Sequence, residues 1–169
     1  MRLTKSTLYG IACLWLLLSA CTDTKPEAET TTAPAPAAAP ATGYNPRLAA
    51  ELGADDYGMK PYVMAFLLKG PNRDQDSATA AQLQVAHMEN IKRMAKQGKL
   101  VLAGPFMQEG EMQGIYLFNV PTVEEARALT ETDPAVQAGR LIMDLRPWYG
   151  SAALMQVNDI HSTLAKESI

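Results

Sequence analysis

Cysteine and histidine are both scarce in this sequence, with two of each among 169 residues. Cys13 and Cys21 both lie near the N-terminus, so the rest of the chain has no thiol for a disulfide, a metal site or a nucleophile. The two histidines, His87 and His161, form no His-x-x-x-His or Glu-x-x-His pattern, which argues against a zinc or iron site. We therefore expect no metal and no other cofactor.

Two further motifs are missing, a glycine-rich phosphate loop and a Gly-x-Ser-x-Gly nucleophile turn. The basic residues also form no stripe, because Lys92, Arg93, Lys96 and Lys99 are spaced as a solvated helix face. Nucleic acid is therefore not an expected partner. If the domain is catalytic, we expect cofactor-free chemistry.

The first residues resemble a bacterial lipoprotein signal. Arg2 and Lys5 precede an apolar run, Leu8–Leu18, and small residues then lead to Cys21. The run is roughly a dozen residues, whereas a spanning helix needs about 20, so a cleaved signal is favoured over an uncut transmembrane anchor. We expect a signal peptide over residues 1–20, lipidation at Cys21, and membrane contact through that lipid anchor only.

Removing the signal peptide takes away Arg2 and Lys5, which leaves 13 basic against 18 acidic side chains, a formal balance of −5. Thr22 stands where an Asp would follow the cysteine, and by resemblance to sorted lipoproteins of double-membraned bacteria this favours the outer membrane, facing the periplasm. Residues 21–43 are rich in Pro, Ala and Thr and predict an extended tether that reaches about 60 Å at roughly 3.1 Å per residue.

The rest of the chain divides into three parts by composition. Residues 44–60 form a transition segment with some helical pattern, residues 61–149 form the main domain, and residues 150–169 form a C-terminal amphipathic helix. Apolar alternation, capping residues and turn residues predict the following elements of the domain: strand 62–68, helix 77–97, strand 100–106, strand 114–120, helix 122–130, a helical turn 133–139 and strand 140–148.

This order, β-α-β-β-α-β, predicts an α+β domain with a ferredoxin-like split sheet of four strands and both helices on one face. The other face has no helix to cover it. A second copy covering it would give a homodimeric α/β barrel. Alternatively, residues 151–166, whose apolar side chains form one helical stripe, fold over that face within one chain.

Several strings in the domain resemble the YCII-related domain family. They are His87-Met88-Glu89-Asn90-Ile91, Gly98-Lys99-Leu100-Val101-Leu102-Ala103-Gly104-Pro105-Phe106, Gly114, Asp133-Pro134, Ala138-Gly139 and Arg146-Pro147-Trp148. The resemblance covers about residues 62–148 and implies a dimeric α/β barrel. It also implies an active site built on a helix histidine and the aspartate of an Asp-Pro pair, here His87 and Asp133, with chemistry such as dehalogenation or lactone isomerisation of small cyclic compounds.

The residues themselves leave two interpretations of this pair open. His87 shares a helix stripe with Leu83, Ile91 and Met94, so it faces inward and needs a partner for a ring nitrogen. If Asp133 accepts from one nitrogen, the other stays basic, as general acid/base chemistry requires. Alternatively, His87 is a satisfied core residue and Asp133 only caps the helical turn that Pro134 begins.

Three other residues are weaker candidates for substrate binding. Phe106 follows a strand end and either lines a pocket or marks a bulge that ends pairing. Trp148 either lines the same cleft or packs in the dimer interface. Arg73, in a loop, either binds an anionic substrate or makes a surface ion pair.

Two functions of different classes follow. The first is an envelope-anchored domain that performs isomerase-type or lyase-type acid/base chemistry on a small cyclic or carbonyl compound. The second is a non-catalytic lipoprotein that binds a small molecule or has a structural role. They differ in whether a cleft opens at His87.

Overall fold

The computed structural model of the chain describes residues 43–167. The predicted signal peptide, the lipidation site Cys21 and nearly all of the tether lie outside these residues. Within this part of the chain, no helix combines the length and apolarity needed to cross a membrane. The elements, in chain order, are α1 (Pro46–Leu52), β1 (Met59–Lys69), α2 (Ser77–Lys96), β2 (Leu100–Pro105), β3 (Met112–Phe118), α3 (Val123–Thr130), α4 (Pro134–Gln137), β4 (Leu141–Ser151), a 3₁₀ helix (Ala152–Gln156) and α5 (Val157–Leu164).

The four strands form one sheet in the order β2-β3-β1-β4, and every neighbouring pair is antiparallel. β1 and β2 therefore run parallel with β3 between them, and α2 makes the crossover that joins them. This is the predicted split β-α-β-β-α-β sheet of an α+β domain, so the predicted fold class is confirmed.

Helix α2, which carries His87, has clear start and stop signals. The Asp76 carboxylate accepts a hydrogen bond from the Thr79 backbone N–H at 2.9 Å and so caps the first turn. Gly98 ends the helix with a φ of 67°, a left-handed conformation that glycine adopts without a steric penalty. These two signals determine where the helix begins and ends.

The main core lies between the helices and one sheet face. Val63, Ala65 and Leu67 of β1 point into it, and Tyr116 and Phe118 of β3 join them. The helices contribute Met94 and Ala126, and β4 contributes Leu141, Met143 and Leu145. The predicted alternation of β4 is therefore confirmed, since its odd-numbered side chains pack against the helix-covered core.

The opposite sheet face is partly covered by the C-terminal segment of the same chain. Leu154 and Met155 of the 3₁₀ helix pack on Tyr62, Val101 and Leu117. The prediction of one continuous helix over residues 150–169 was wrong in its first part: Ser151 still belongs to β4, the 3₁₀ helix follows, and the α-helix covers only Val157–Leu164. The pairing of β4 with β1 extends to Ser151, which delays the start of the helix.

Strand β1 is longer than predicted and includes Pro61. The sequence prediction started the strand at Tyr62, where the apolar run begins, although proline donates no backbone hydrogen bond to a sheet. In the structure β1 begins at Met59, but β3 pairs with it only from Val63 onward. Pro61 therefore lies where β1 has a single neighbour, and the missing donor leaves no gap in the sheet.

Candidate active site

His87 lies on the inner side of α2, directly over β3. The residue is 8% exposed, and both ring nitrogens have partners. Nδ1 is 2.7 Å from Oδ2 of Asp133, and Nε2 is 3.2 Å from Oη of Tyr116. The histidine and aspartate that the sequence singled out, 46 positions apart, are thus hydrogen-bonded to each other.

Asp133 is completely buried and uses its two oxygens for two different tasks. Oδ2 accepts from His87, while Oδ1 accepts from the backbone N–H of Ala135 at 2.8 Å and so caps α4. Asp133 therefore makes both contacts that the two interpretations assigned to it separately: it caps a helical turn, and it accepts from the imidazole. Since Oδ2 accepts, Nδ1 carries the proton and Nε2 presents its lone pair.

Tyr116 is the residue of this site that the sequence analysis missed. It lies on β3, is 2% exposed, and its ring stacks on His87 with 6.2 Å between ring centroids. Burial, and secondarily the negative charge of Asp133, raises the pKa of Tyr116 far above its ordinary value, so its hydroxyl stays protonated. The hydroxyl therefore donates to Nε2 of His87. The available signal was a tyrosine on the inward face of a strand, whose buried hydroxyl needs a partner.

A cavity of about 550 Å³ opens beside this row of three residues, and His87 and Tyr116 both line it. Its remaining wall is mostly apolar and includes residues of β1, α2, β2, β3 and the start of β4, among them Leu67, Leu83, Met88, Ile91, Pro105 and Leu141. This volume lies within the ordinary range for small-molecule sites. A cleft therefore opens at His87, as the catalytic hypothesis requires.

A second polar cluster holds the segment before Asp133 against α2. Arg93 donates to Oδ1 of Asn90 at 2.5 Å and to Oγ1 of Thr132 at 2.7 Å. Asn90 lies three residues after His87, and Thr132 lies directly before Asp133. The cluster thus joins the two elements that carry the pair and fixes the approach of the carboxylate to the imidazole.

Arg73 lines the cavity, as its proposed role in substrate binding requires. Its guanidinium donates to the backbone oxygen of Arg140 at 3.1 Å, and Arg140 also lines the cavity. The alternative for Arg73 was a surface ion pair. Among residues 43–167 the ion pairs are His87–Asp133, Lys92–Glu89 and Arg146–Asp144, so Arg73 makes none there.

Phe106 and Trp148 do not belong to this cavity. The last cavity-lining residue of β2 is Pro105, and Phe106 lines a separate depression with Lys69 and Met107. Trp148 pairs with Tyr62 across β4 and β1 and packs on its ring at 5.9 Å, on the sheet face away from the helices. The two corrections have different physical reasons: β2 ends at Pro105, before Phe106, and Trp148 lies on the sheet face opposite to the cavity because successive strand residues point to opposite sides of a sheet.

Fold and site together define a small α+β domain with a histidine-aspartate pair at the wall of an apolar cavity. The sequence profile of the YCII-related domain family matches residues 64–149, which is just over half of the chain. The chain therefore belongs to the YCII-related domain family, and the resemblance seen in the sequence is confirmed.

A solved structure similar to this chain is that of 5-chloro-2-hydroxyhydroquinone dehydrochlorinase from Burkholderia phenoliruptrix AC1100, in complex with 2,5-dihydroxybenzoquinone. The two sequences are 18% identical, and the alignment covers 53% of this chain and 93% of that one with a TM-score of 0.39. At this level of agreement the likeness supports no conclusion about activity. No curated protein matches the chain.

Proposed function

We propose that this chain is an enzyme of the isomerase or lyase type, in which His87 moves a proton on a small cyclic or carbonyl compound bound in the cavity. The observation that carries the proposal is the hydrogen-bonded row Asp133–His87–Tyr116 at the wall of that cavity. Two inward-facing polar side chains at a mostly apolar wall are what a site for proton transfer needs.

The roles of the three residues follow from the direction of their hydrogen bonds. Asp133 accepts the Nδ1 proton, which leaves Nε2 as the basic atom and stabilises the imidazolium that forms when Nε2 takes a proton. In the resting site Tyr116 donates to Nε2. A substrate C–H or O–H group that reaches Nε2 replaces this donor, and the proton taken up is then returned to a different atom of the substrate or to its leaving group. No cofactor takes part in this scheme.

Deuterium exchange tests the proposal and does not require that the product be identified. The purified protein is incubated in D₂O with a panel of small cyclic ketones, lactones and quinols, and uptake of deuterium at carbon is followed by NMR. We expect His87→Gln, which removes the basic ring nitrogen, to slow exchange by about 10²- to 10⁴-fold on any compound that the protein accepts. His161→Gln is the matched control, because His161 is exposed on α5 and does not line the cavity.

Equal exchange rates in wild type and His87→Gln would contradict the proposed catalytic role of His87. The second candidate function, binding of a small molecule without chemistry, is favoured by one observation: Nε2 of His87 is already occupied by Tyr116. If a compound from the panel binds, but no deuterium enters it at a rate that depends on His87, this second function replaces the first.

We also propose the cellular setting of the domain. The support is the sequence pattern of the first residues: a basic start, a short apolar run and Cys21 after small residues. In this proposal residues 1–20 are removed and Cys21 carries the lipid. Residues 21–43 then hold the domain away from the outer membrane on its periplasmic side. Metabolic labelling with palmitate checks it: label should enter the wild type and not Cys21→Ser, and equal labelling would contradict the assignment.

A homodimer formed through the open sheet face completes the proposal. Away from the 3₁₀ helix this face carries Phe66, Ile115, Ile142 and Trp148, of which Ile142 is 47% and Trp148 37% exposed. Because an apolar sheet face is stable only when covered, a second copy is the occupant that the family fold favours. The C-terminal segment covers one end of the face, so the predicted alternative accounts for only part of it.

A further inference from the structure

Two arginines that line the cavity have no acidic partner among residues 43–167. Arg73 and Arg140 both line it, and neither makes an ion pair with any residue between 43 and 167. No acidic side chain from that part of the chain lines the cavity, since Asp133 lies fully buried behind the imidazole. Arg73 and Arg140 therefore bring two positive charges to this cavity, and residues 43–167 contribute no acidic side chain to its wall.

Arg140 is held in place by a neutral group. Its Nη1 donates to Oε1 of Gln75 at 2.6 Å, and the Gln75 amide donates in turn to the backbone oxygen of Asn72 at 3.1 Å. An amide oxygen orients the guanidinium but does not neutralise it. Because a guanidinium has five N–H donors, most of those on Arg140 remain available to a ligand.

Arg73 is also held, although it lies in the loop between β1 and α2. The loop is hydrogen-bonded to the segment before β4: the backbone N–H of Gly70 donates to Arg140 O at 2.8 Å, and that of Asn72 donates to Gly139 O at 3.1 Å. The Asn72 side chain adds a bond to Ala138 O at 3.2 Å. Both arginines are thus positioned by backbone contacts before any ligand binds, which reduces the ordering cost of binding.

We infer that the cavity takes an anionic substrate, a small molecule with a carboxylate or equivalent anionic group bound by Arg73 and Arg140 and an apolar body that lies toward His87. Fork-shaped guanidinium donors match the geometry of a carboxylate, and the partly buried setting makes such a contact stronger than on an open surface. The anion supplies the counter-charge that the protein does not. This inference rests on the proposed function, because it names the substrate class of the same cavity.

Matched acid and amide probes test the inference. Benzoate, phenylacetate and cyclohexanecarboxylate, and the three corresponding carboxamides, are titrated into the purified full-length protein, and binding is followed by NMR. We expect each carboxylate to bind at least about tenfold more tightly than its amide, since a hydrogen bond to a charged group is worth that much. Arg140→Gln and Arg73→Gln should each remove most of this preference.

Arg127→Gln is the control of equal charge change, since Arg127 is exposed on α3 and does not line the cavity. Arg73 is exposed as well, so Arg73→Gln remains informative if Arg140→Gln does not fold. Equal binding of acids and amides, or a preference that survives both arginine substitutions, would overturn the inference. His87→Gln should retain the preference for acids, so a failure of the catalytic proposal and a failure of this one give different results.

Discussion

The two faces of the sheet come from the same strands but differ in almost every property. On the helix-covered face, β3 contributes Tyr116 to a buried polar row beside a cavity. On the other face, its neighbours Ile115 and Leu117 contribute to an apolar surface that the 3₁₀ helix covers only in part. The comparison shows how alternation in one strand separates a buried polar row from an apolar surface: the helices enclose the first, and the second stays partly uncovered.

The two faces also differ in how deeply their charged side chains are buried. The helix-covered face buries one contact between a histidine and a carboxylate, His87–Asp133, in which the carboxylate also caps a helix. The open face has Arg146–Asp144, with Nη2 and Oδ2 2.9 Å apart and both side chains in contact with solvent. Water and salt screen the second pair far more than the first contact, and loss of one partner leaves a buried group unpaired only in the first, so substitution should lower stability mainly there.

Removal of the two aspartates should give the largest difference between the faces. Asp133→Ala loses a charge-assisted hydrogen bond and a helix cap, and we expect the free energy of unfolding to fall by roughly 2–4 kcal/mol. Asp144→Ala should change it by less than about 1 kcal/mol. Urea denaturation of the two variants measures both free energies of unfolding. Similar losses would mean that Asp133 stabilises the fold no more than the exposed Asp144 does.

A charge placed on the open face should break the proposed dimer. We expect Ile142→Glu to weaken self-association by about 10-fold or more, because the carboxylate would have to be buried in an apolar contact. Val85→Glu is the matched control, since Val85 is 64% exposed on the outer side of α2, away from this face. Sedimentation velocity reports the association state, and an unchanged mass for Ile142→Glu would place the dimer contact elsewhere or exclude it.

Alkaline pH should distinguish the two buried tyrosines, one on each face. Burial raises the pKa of both Tyr116 and Tyr62 above the ordinary value of a phenol, more strongly for Tyr116. Above about pH 10 the unfolded chain releases these protons while the folded chain keeps them, so stability is complete below that pH and falls as the pH rises.

For Tyr116 the expected loss is about 1 kcal/mol per pH unit above 10. Tyr116→Phe should therefore flatten the alkaline limb of the stability curve more than Tyr62→Phe does, as measured by urea denaturation at several pH values. Equal flattening by the two substitutions would show that the polar row at the cavity gives Tyr116 no distinct environment.

The sequence predicted the fold and the central pair well because both depend on regular patterns. Strand alternation and the capping residues placed α2 and the start and inward face of β4 correctly, and the inward stripe of α2 pointed to His87. Asp133 followed from the Asp-Pro start of a helical turn, together with the family resemblance. Each of these signals is local, or repeats with the period of its own element.

The residues and boundaries that the sequence did not predict depend on contacts between distant elements. Tyr116 was missed because an inward tyrosine on a strand looks like core, and its hydroxyl partner lies 29 positions away on a helix. Phe106 was placed in the cavity from its neighbours, although the strand ends at Pro105. The boundary of the C-terminal helix depended on how far β4 pairs with β1, which the sequence of β4 alone does not determine.

The double use of the Asp133 carboxylate also makes the orientation of His87 depend on complete folding. Its two oxygens join α2, made early in synthesis, to α4, which follows more than thirty residues later. A chain in which α4 has not yet docked lacks the partner of Nδ1, so the imidazole acquires its orientation only in the finished domain.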